Sequence, residues 1–112
     1  MLDILIASED ALTFVRSMTL DDFRASSLVR RAVLHCLMIV GEAAGRVDAA
    51  AQAEVPDLPW RRMKDLRNVL IHQYANVNLP VIWTIVTTEL PTVVPVLDPL
   101  FADRATEEPP AP

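Results

Sequence analysis

Glycine is almost absent from this chain of 112 residues, which holds only Gly41 and Gly45, and aromatic residues make up 5% of it. Small sandwiches and barrels depend on frequent turns and on aromatic or β-branched cross-strand pairs, so their compositional profile is missing. Cysteine is reduced to Cys36, which excludes an intrachain disulfide. Its neighbours Leu34, Leu37 and Met38 mark it as a core thiol in a reducing compartment, not a nucleophile. Positive charge is in deficit. A formal net charge of -5 excludes a broad cationic surface that coats nucleic acid non-specifically, although a small basic cleft stays compatible with it. A basic segment followed by a long apolar run is also lacking, because MLDILIASED carries Asp3, Glu9 and Asp10. The longest charge-free apolar stretch, around Val77 to Thr88, is too short and too polar to span a bilayer. A cytosolic protein without a membrane segment is expected.

What is present is a hydrophobic content of 52%, enough for the core of one domain and written largely at helical spacing. A first helix is predicted over about Leu2 to Met18, with Thr19 and Asp21 marking its end and the next start. A long second helix is predicted over about Arg24 to Ala53, with an apolar band wide enough to be buried on more than one side. Pro56 and Pro59 then break the helix, since the residue before a proline is pushed out of helical geometry. A third helix begins near Trp60 and carries Met63, Leu66 and Leu70 on one stripe, with Arg61, Lys64, Asn68 and His72 opposite. The fourth starts after Asn78, tolerates Pro80 in its first turn, and bends near Pro91. Trp60 and Trp83 read as anchors of the bundle. These segments make an all-α, antiparallel four-helix bundle over residues 1–101. The tail 102–112, acidic and rich in proline, is expected to be disordered.

The octet RNVLIHQY, Arg67 to Tyr74, puts an arginine, an imidazole and a phenol near the end of the third helix. A permanent cation beside a group that titrates near neutrality is the minimum equipment for phosphodiester chemistry without a metal. At about 100° per residue, however, Arg67 and His72 point roughly 140° apart around the helix axis. One helix does not aim both groups at one point, and a symmetry-related copy closes the gap better. The exposed part of the second helix's apolar band also asks for a partner, most simply in a homodimer.

Four segments in order resemble the HepT-like toxins of the HEPN superfamily: IVGEAAGRV, VPDLPW, LRNVLIHQY and VNLPVIWTIVTTELP. The resemblance spans roughly residues 2 to 100, far more than the short Arg-x4-His-x-Tyr match. Asp65 stands where many relatives have glycine, and Gln73 where many have glutamate, which removes a carboxylate able to tune the neighbouring imidazole. The resemblance implies a HEPN bundle whose dimer lines one cleft with two copies of the motif, and the endoribonuclease toxicity of a type VII-like toxin–antitoxin pair. It also implies a cognate minimal nucleotidyltransferase as antitoxin, transferring AMP to the motif tyrosine, here Tyr74.

In that frame His72 is the proton-transfer group, Arg67 the phosphate cation, and Asn68, one turn from His72, its support; Lys64 is a further supporting cation. Glu42, between the two glycines, either pairs with Arg46 four residues on or faces the third helix and holds Arg67 or His72. His35 beside Cys36 lacks further ligands at zinc-site spacing and reads as a core or interface histidine; no metal and no cofactor is expected. The alternative functions are a non-catalytic HEPN module that binds a nucleotidyltransferase or a nucleotide, and a purely structural helical dimer.

Overall fold

The structure, a computed structural model, describes residues 1–75 and 78–102, with the side chains of 73–75 excepted. The expected disordered tail therefore lies outside the described residues beyond Ala102. Among the described residues every regular element is a helix, and the all-α bundle predicted from sequence is what the chain forms.

Helix α1, Leu2–Phe14, buries Ile4, Leu5, Ala7, Ser8 and Ala11. The buried Ser8 hydroxyl is satisfied locally, donating to the Ile4 carbonyl at 2.7 Å. The helix stops at Phe14 and does not reach Met18, because Ser17 sits at φ 62°, a left-handed conformation through which a right-handed helix cannot continue. Helix α2, Leu20–Ala25, starts from Thr19 with a reciprocal cap. The Thr19 hydroxyl accepts the Asp22 amide at 3.1 Å, and the Asp22 carboxylate accepts the Thr19 amide at 3.0 Å.

The single long helix expected from Arg24 to Ala53 is three helices: the end of α2, then α3 over Ser27–Arg46 and α4 over Ala49–Glu54. Each break falls on a residue whose short polar side chain competes with the helix for backbone amides. Ser26 turns extended and accepts the Val29 amide at 3.2 Å; Asp48 does the same for Ala51 at 2.8 Å. Helix α3, with its 20 residues, is the central rod. It packs against α1 on one side and α5 on the other, and its middle, from Val33 to Ala44, is the heart of the core.

Between α4 and α5 the chain is pinned by buried Val55, Leu58 and Trp60, and the Trp60 indole donates to the Val55 carbonyl at 2.9 Å. Helix α5, Trp60–Ala75, begins where the prolines predict, and Met63, Leu66 and Leu70 are all but inaccessible. With Asn78 at its N-cap position and Pro80 in its first turn, α6, Leu79–Thr84, starts the last helical run. That run loosens to a π-helical turn over Ile85–Glu89, tightens to 3₁₀ at Leu90–Thr92, and ends in the short α7, Val94–Leu97, and a 3₁₀ turn over Asp98–Phe101. The bend expected near Pro91 is thus spread over both sides of it. Pro91 donates no amide and its ring crowds the carbonyl four residues earlier, so the ladder is disturbed in the turn before it. Hydroxyls help take up the disturbed carbonyls: Thr87 donates to Trp83 at 2.7 Å and Thr92 to Glu89 at 2.6 Å.

Leu79–Phe101 is 23 residues long with a mean hydropathy of 1.4, enough by length and composition to cross a bilayer, and more than the stretch ending at Thr88 suggests. In this fold its inward side supplies Ile82, Ile85, Val86, Leu90, Val93 and Leu97 to the bundle core. Trp83, half-buried, sets its ring 5.3 Å from that of Phe23 on α2, in the anchoring role expected of it.

Candidate functional site

Because Met63, Leu66 and Leu70 face inward, the rotation of α5 is fixed and its polar side is presented outward. Arg61, Lys64, Arg67, Asn68 and His72 are all exposed. Arg62 is removed from this set. Its guanidinium grips Glu89 on the last helix with two bonds, 2.6 and 3.0 Å, and the carboxylate holds Arg62 still further above its ordinary pKa. Of the four cations between Arg61 and Arg67, Arg62 is therefore tied to a carboxylate 27 residues away.

Where α5 meets α3, the contact is backbone on backbone. A Cβ placed on Gly41 would lie 3.1 Å from the Arg67 amide nitrogen, 3.4 Å from the Met63 carbonyl and 3.5 Å from the Leu66 Cβ. Glycine is what allows the helices to touch there. One turn further along α3, a Cβ on Gly45 would meet nothing within 4 Å. Between these two positions the helices leave a cleft of 370 Å³ lined by Gly41, Glu42, Gly45, Arg46, Lys64 and Arg67. Three cations face it against one carboxylate. Glu42 reaches Arg46 at 3.8 Å, the loose end of an ion pair, and both side chains are well exposed, so this pair holds neither group tightly.

The sequence left two roles open for Glu42, and the fold joins them in part: Glu42 pairs with Arg46 while lining the same cleft as Arg67. Lys64 is brought to Arg67. His72 and Asn68 are exposed on α5 but do not line this cleft. The cleft thus takes in Arg67 without His72. Tyr74 belongs to the last turn of α5, and its side chain lies outside the described residues. Sequence reasoning missed Arg46 and Gly45 as parts of the site, although in GEAAGR the four-residue spacings stack Gly41 with Gly45 and Glu42 with Arg46 on neighbouring stripes of the helix.

Two further expectations can be placed. Cys36 is buried, and burial pushes its thiol pKa up, with the charge of Asp10 adding to the effect and a backbone hydrogen bond opposing it. His35 is not a core residue: it is exposed and lines a groove between α1 and α3 with Ile6, Asp10, Phe14 and Ile39. Apolar side chains stand out on three helices, with Ile6 and Phe14 on α1, Leu28 on α3 and Ile71 beside His72 on α5.

Comparison with known proteins places this site in context. A family model described as "Ribonuclease HepT-like" matches residues 4–100. A protein of Methanocaldococcus jannaschii named "Putative RNase" is 32% identical over 91 residues, which is 81% of this chain and 84% of the relative. A second M. jannaschii protein with the same description is 31% identical over 106 residues, 95% of this chain and 88% of its own. A Thermococcus cleftensis protein named "Probable ribonuclease HepT" is 33% identical over 91 residues, covering 81% and 83%. No solved structure gives a significant match.

Proposed function

The chain belongs to the HepT-like ribonuclease family, and from that premise we propose that it is a metal-independent endoribonuclease toxin of the cytosol, active as a homodimer. Arg67 and His72 are the catalytic residues, Asn68 supports the imidazole, and Lys64 adds cationic charge beside Arg67. The observation that carries the dimer reading is the divergence within one chain: Arg67 lies on the α3–α5 cleft while His72 is exposed outside it. Two copies of α5 facing each other supply two imidazoles and two guanidinium groups to one RNA strand.

In this scheme one His72, neutral, takes the proton of the ribose 2'-OH as the 2'-oxygen attacks the adjacent phosphorus. Arg67 stabilises the crowded phosphorane through two of its oxygens. The partner copy's His72, protonated, gives its proton to the departing 5'-oxygen. An imidazole is the side chain able to serve as base in one copy and acid in the other near neutrality. The products are a 2',3'-cyclic phosphate and a 5'-hydroxyl, and recovery of 3'-hydroxyl and 5'-phosphate ends would contradict the scheme.

Control is assigned to Tyr74, two residues past His72. A cognate nucleotidyltransferase antitoxin passes AMP from ATP to the phenol, whose oxygen loses its proton and attacks the α-phosphorus as pyrophosphate leaves; the phosphodiester's negative charge then competes for Arg67 and its nucleoside blocks the RNA path. Expression of the chain alone should arrest growth, and His72→Ala should relieve the arrest. Co-expression with the antitoxin should add the mass of AMP, lost in Tyr74→Phe. Toxicity that persists in His72→Ala overturns catalysis. The acidic net charge of -5 favours a second reading, a non-catalytic module binding a nucleotidyltransferase or nucleotide; a folded protein without toxicity in any form would select it.

A further inference from the structure

The ribonuclease scheme uses Arg67 for the reacting phosphate with Lys64 as added charge beside it, and leaves Arg46 and the Gly45 floor of the α3–α5 cleft unassigned. We propose that this cleft is a subsite for a second backbone phosphate, one flanking the scissile bond on single-stranded RNA, held by Arg46 and Lys64 over the bare floor left by Gly45. The proposal rests on the ribonuclease reading for the identity of the strand. Its physical basis is the cleft itself.

Three cations and one carboxylate line the cleft, so it carries an excess of two positive charges in a chain that is acidic as a whole. Arg46 is held only by a loose contact of 3.8 Å to Glu42, and a phosphate could take it over at small cost. Gly45 faces open space, a Cβ built on it meeting nothing within 4 Å, so a phosphate can come close to the α3 backbone between Arg46 and Lys64. Among the described residues no aromatic side chain lines the cleft, so none of them offers a platform on which a base could stack. What it reads is backbone charge, independent of base sequence.

Glu42 then acts as a competitor. Its loose contact with Arg46 sets a carboxylate against the phosphate for the same guanidinium. Its removal should tighten binding, whereas loss of a proton-transfer group would lower turnover without tightening anything.

The test uses the full chain and a 2'-O-methyl oligoribonucleotide, which lacks the attacking hydroxyl and is not cut, with cleavage of the unmodified strand followed in parallel. Thermal melts confirm that each variant is folded. Arg46→Gln and Lys64→Gln should each weaken binding about 3- to 10-fold on every oligonucleotide sequence. The slope of log affinity against log salt should fall by about 0.7, the value for one phosphate contact on a single strand. Gly45→Glu, which puts a carboxylate on the floor at a position with room for it, should weaken binding as much or more, and Glu42→Gln should strengthen it. If the unmodified RNA is cut but Arg46→Gln and Lys64→Gln bind like wild type with an unchanged salt slope, the subsite is wrong and the ribonuclease reading stands. If nothing cuts RNA yet these variants still bind the strand more weakly, the subsite stands without the nuclease. Binding and cleavage both absent in the folded wild type overturn both.

Discussion

Gly41→Ala tests whether the α3–α5 contact is as close as described, and the effect can be worked from distances. The added methyl would sit 3.1 Å from the Arg67 amide nitrogen and 3.4 Å from the Met63 carbonyl, both backbone atoms that cannot swing aside as a side-chain tip would. Either helix must move by a few tenths of an ångström. Overpacking of this kind costs roughly 1–3 kcal/mol, while alanine in place of glycine inside a helix returns up to about 1 kcal/mol. Gly45→Ala supplies the control, because it has a similar propensity term and meets nothing within 4 Å. The difference between the two variants therefore isolates the contact at about 1–3 kcal/mol. At about 4–8 °C per kcal/mol for a domain near this size, Gly41→Ala should melt at least several degrees below Gly45→Ala. The assay is thermal unfolding by circular dichroism on both, with RNA cleavage of Gly41→Ala measured alongside. Displacement of the Arg67 backbone should also cut turnover more than the stability loss explains, since catalytic geometry tolerates little misplacement. Equal melting temperatures for the two alanine variants would refute the close approach.

Trp60→Phe removes the indole donor while the Val55 carbonyl keeps the Leu58 amide at 3.3 Å, so unfolding in urea should show the loss of one ordinary hydrogen bond, about 0.5–1.5 kcal/mol. Glu89→Gln keeps shape but discharges the partner of Arg62; the pair is about 40% exposed, so the loss should stay within about 1 kcal/mol and shrink at high salt. Cys36 should resist a thiol reagent in the native protein and react at once in denaturant. Its folded pKa lies above the ordinary value of 9.0, so the stability it contributes is complete below the unfolded pKa and is lost as pH rises through the folded one. Denaturant titrations above pH 9 should show that decline in wild type and a weaker one in Cys36→Ala.

The third helix was the most legible element in the sequence. Two prolines stop the chain before Trp60, and Met63, Leu66 and Leu70 are spaced for one face, so its start, its buried side and the outward direction of Arg67 and His72 could all be read. The breaks at Ser26 and Asp48 were not, because apolar periodicity runs on across them and the cap that ends it is a single hydrogen bond. Ser17 is similar: nothing in the octave before it forbids helix, and only the tertiary turn sets its φ. The site divides in the same way. Arg67, Asn68, His72 and Tyr74 belong to one contiguous motif. Arg46 and Gly45 join Arg67 only through the crossing of two helices, and Arg62 is withdrawn by a carboxylate on a third, distances in sequence that no local pattern carries.

Prolines at 91, 95 and 99 give the last helical run a further property, visible on the clock of amide exchange. Each has no amide to exchange and none to bond the preceding turn, so the run from the π-helical turn to Phe101 is a chain of short pieces held by their neighbours. Local opening follows the weakest connections first. Amides at 92–101 should take up deuterium early, those around the π-helical turn next, and those of α3 between Val33 and Ala44 only when the whole bundle opens. The molecule thus has a soft flank on the side of α5 that Met63 and Leu66 present, and a hard one where Gly41 seats α3 against Arg67.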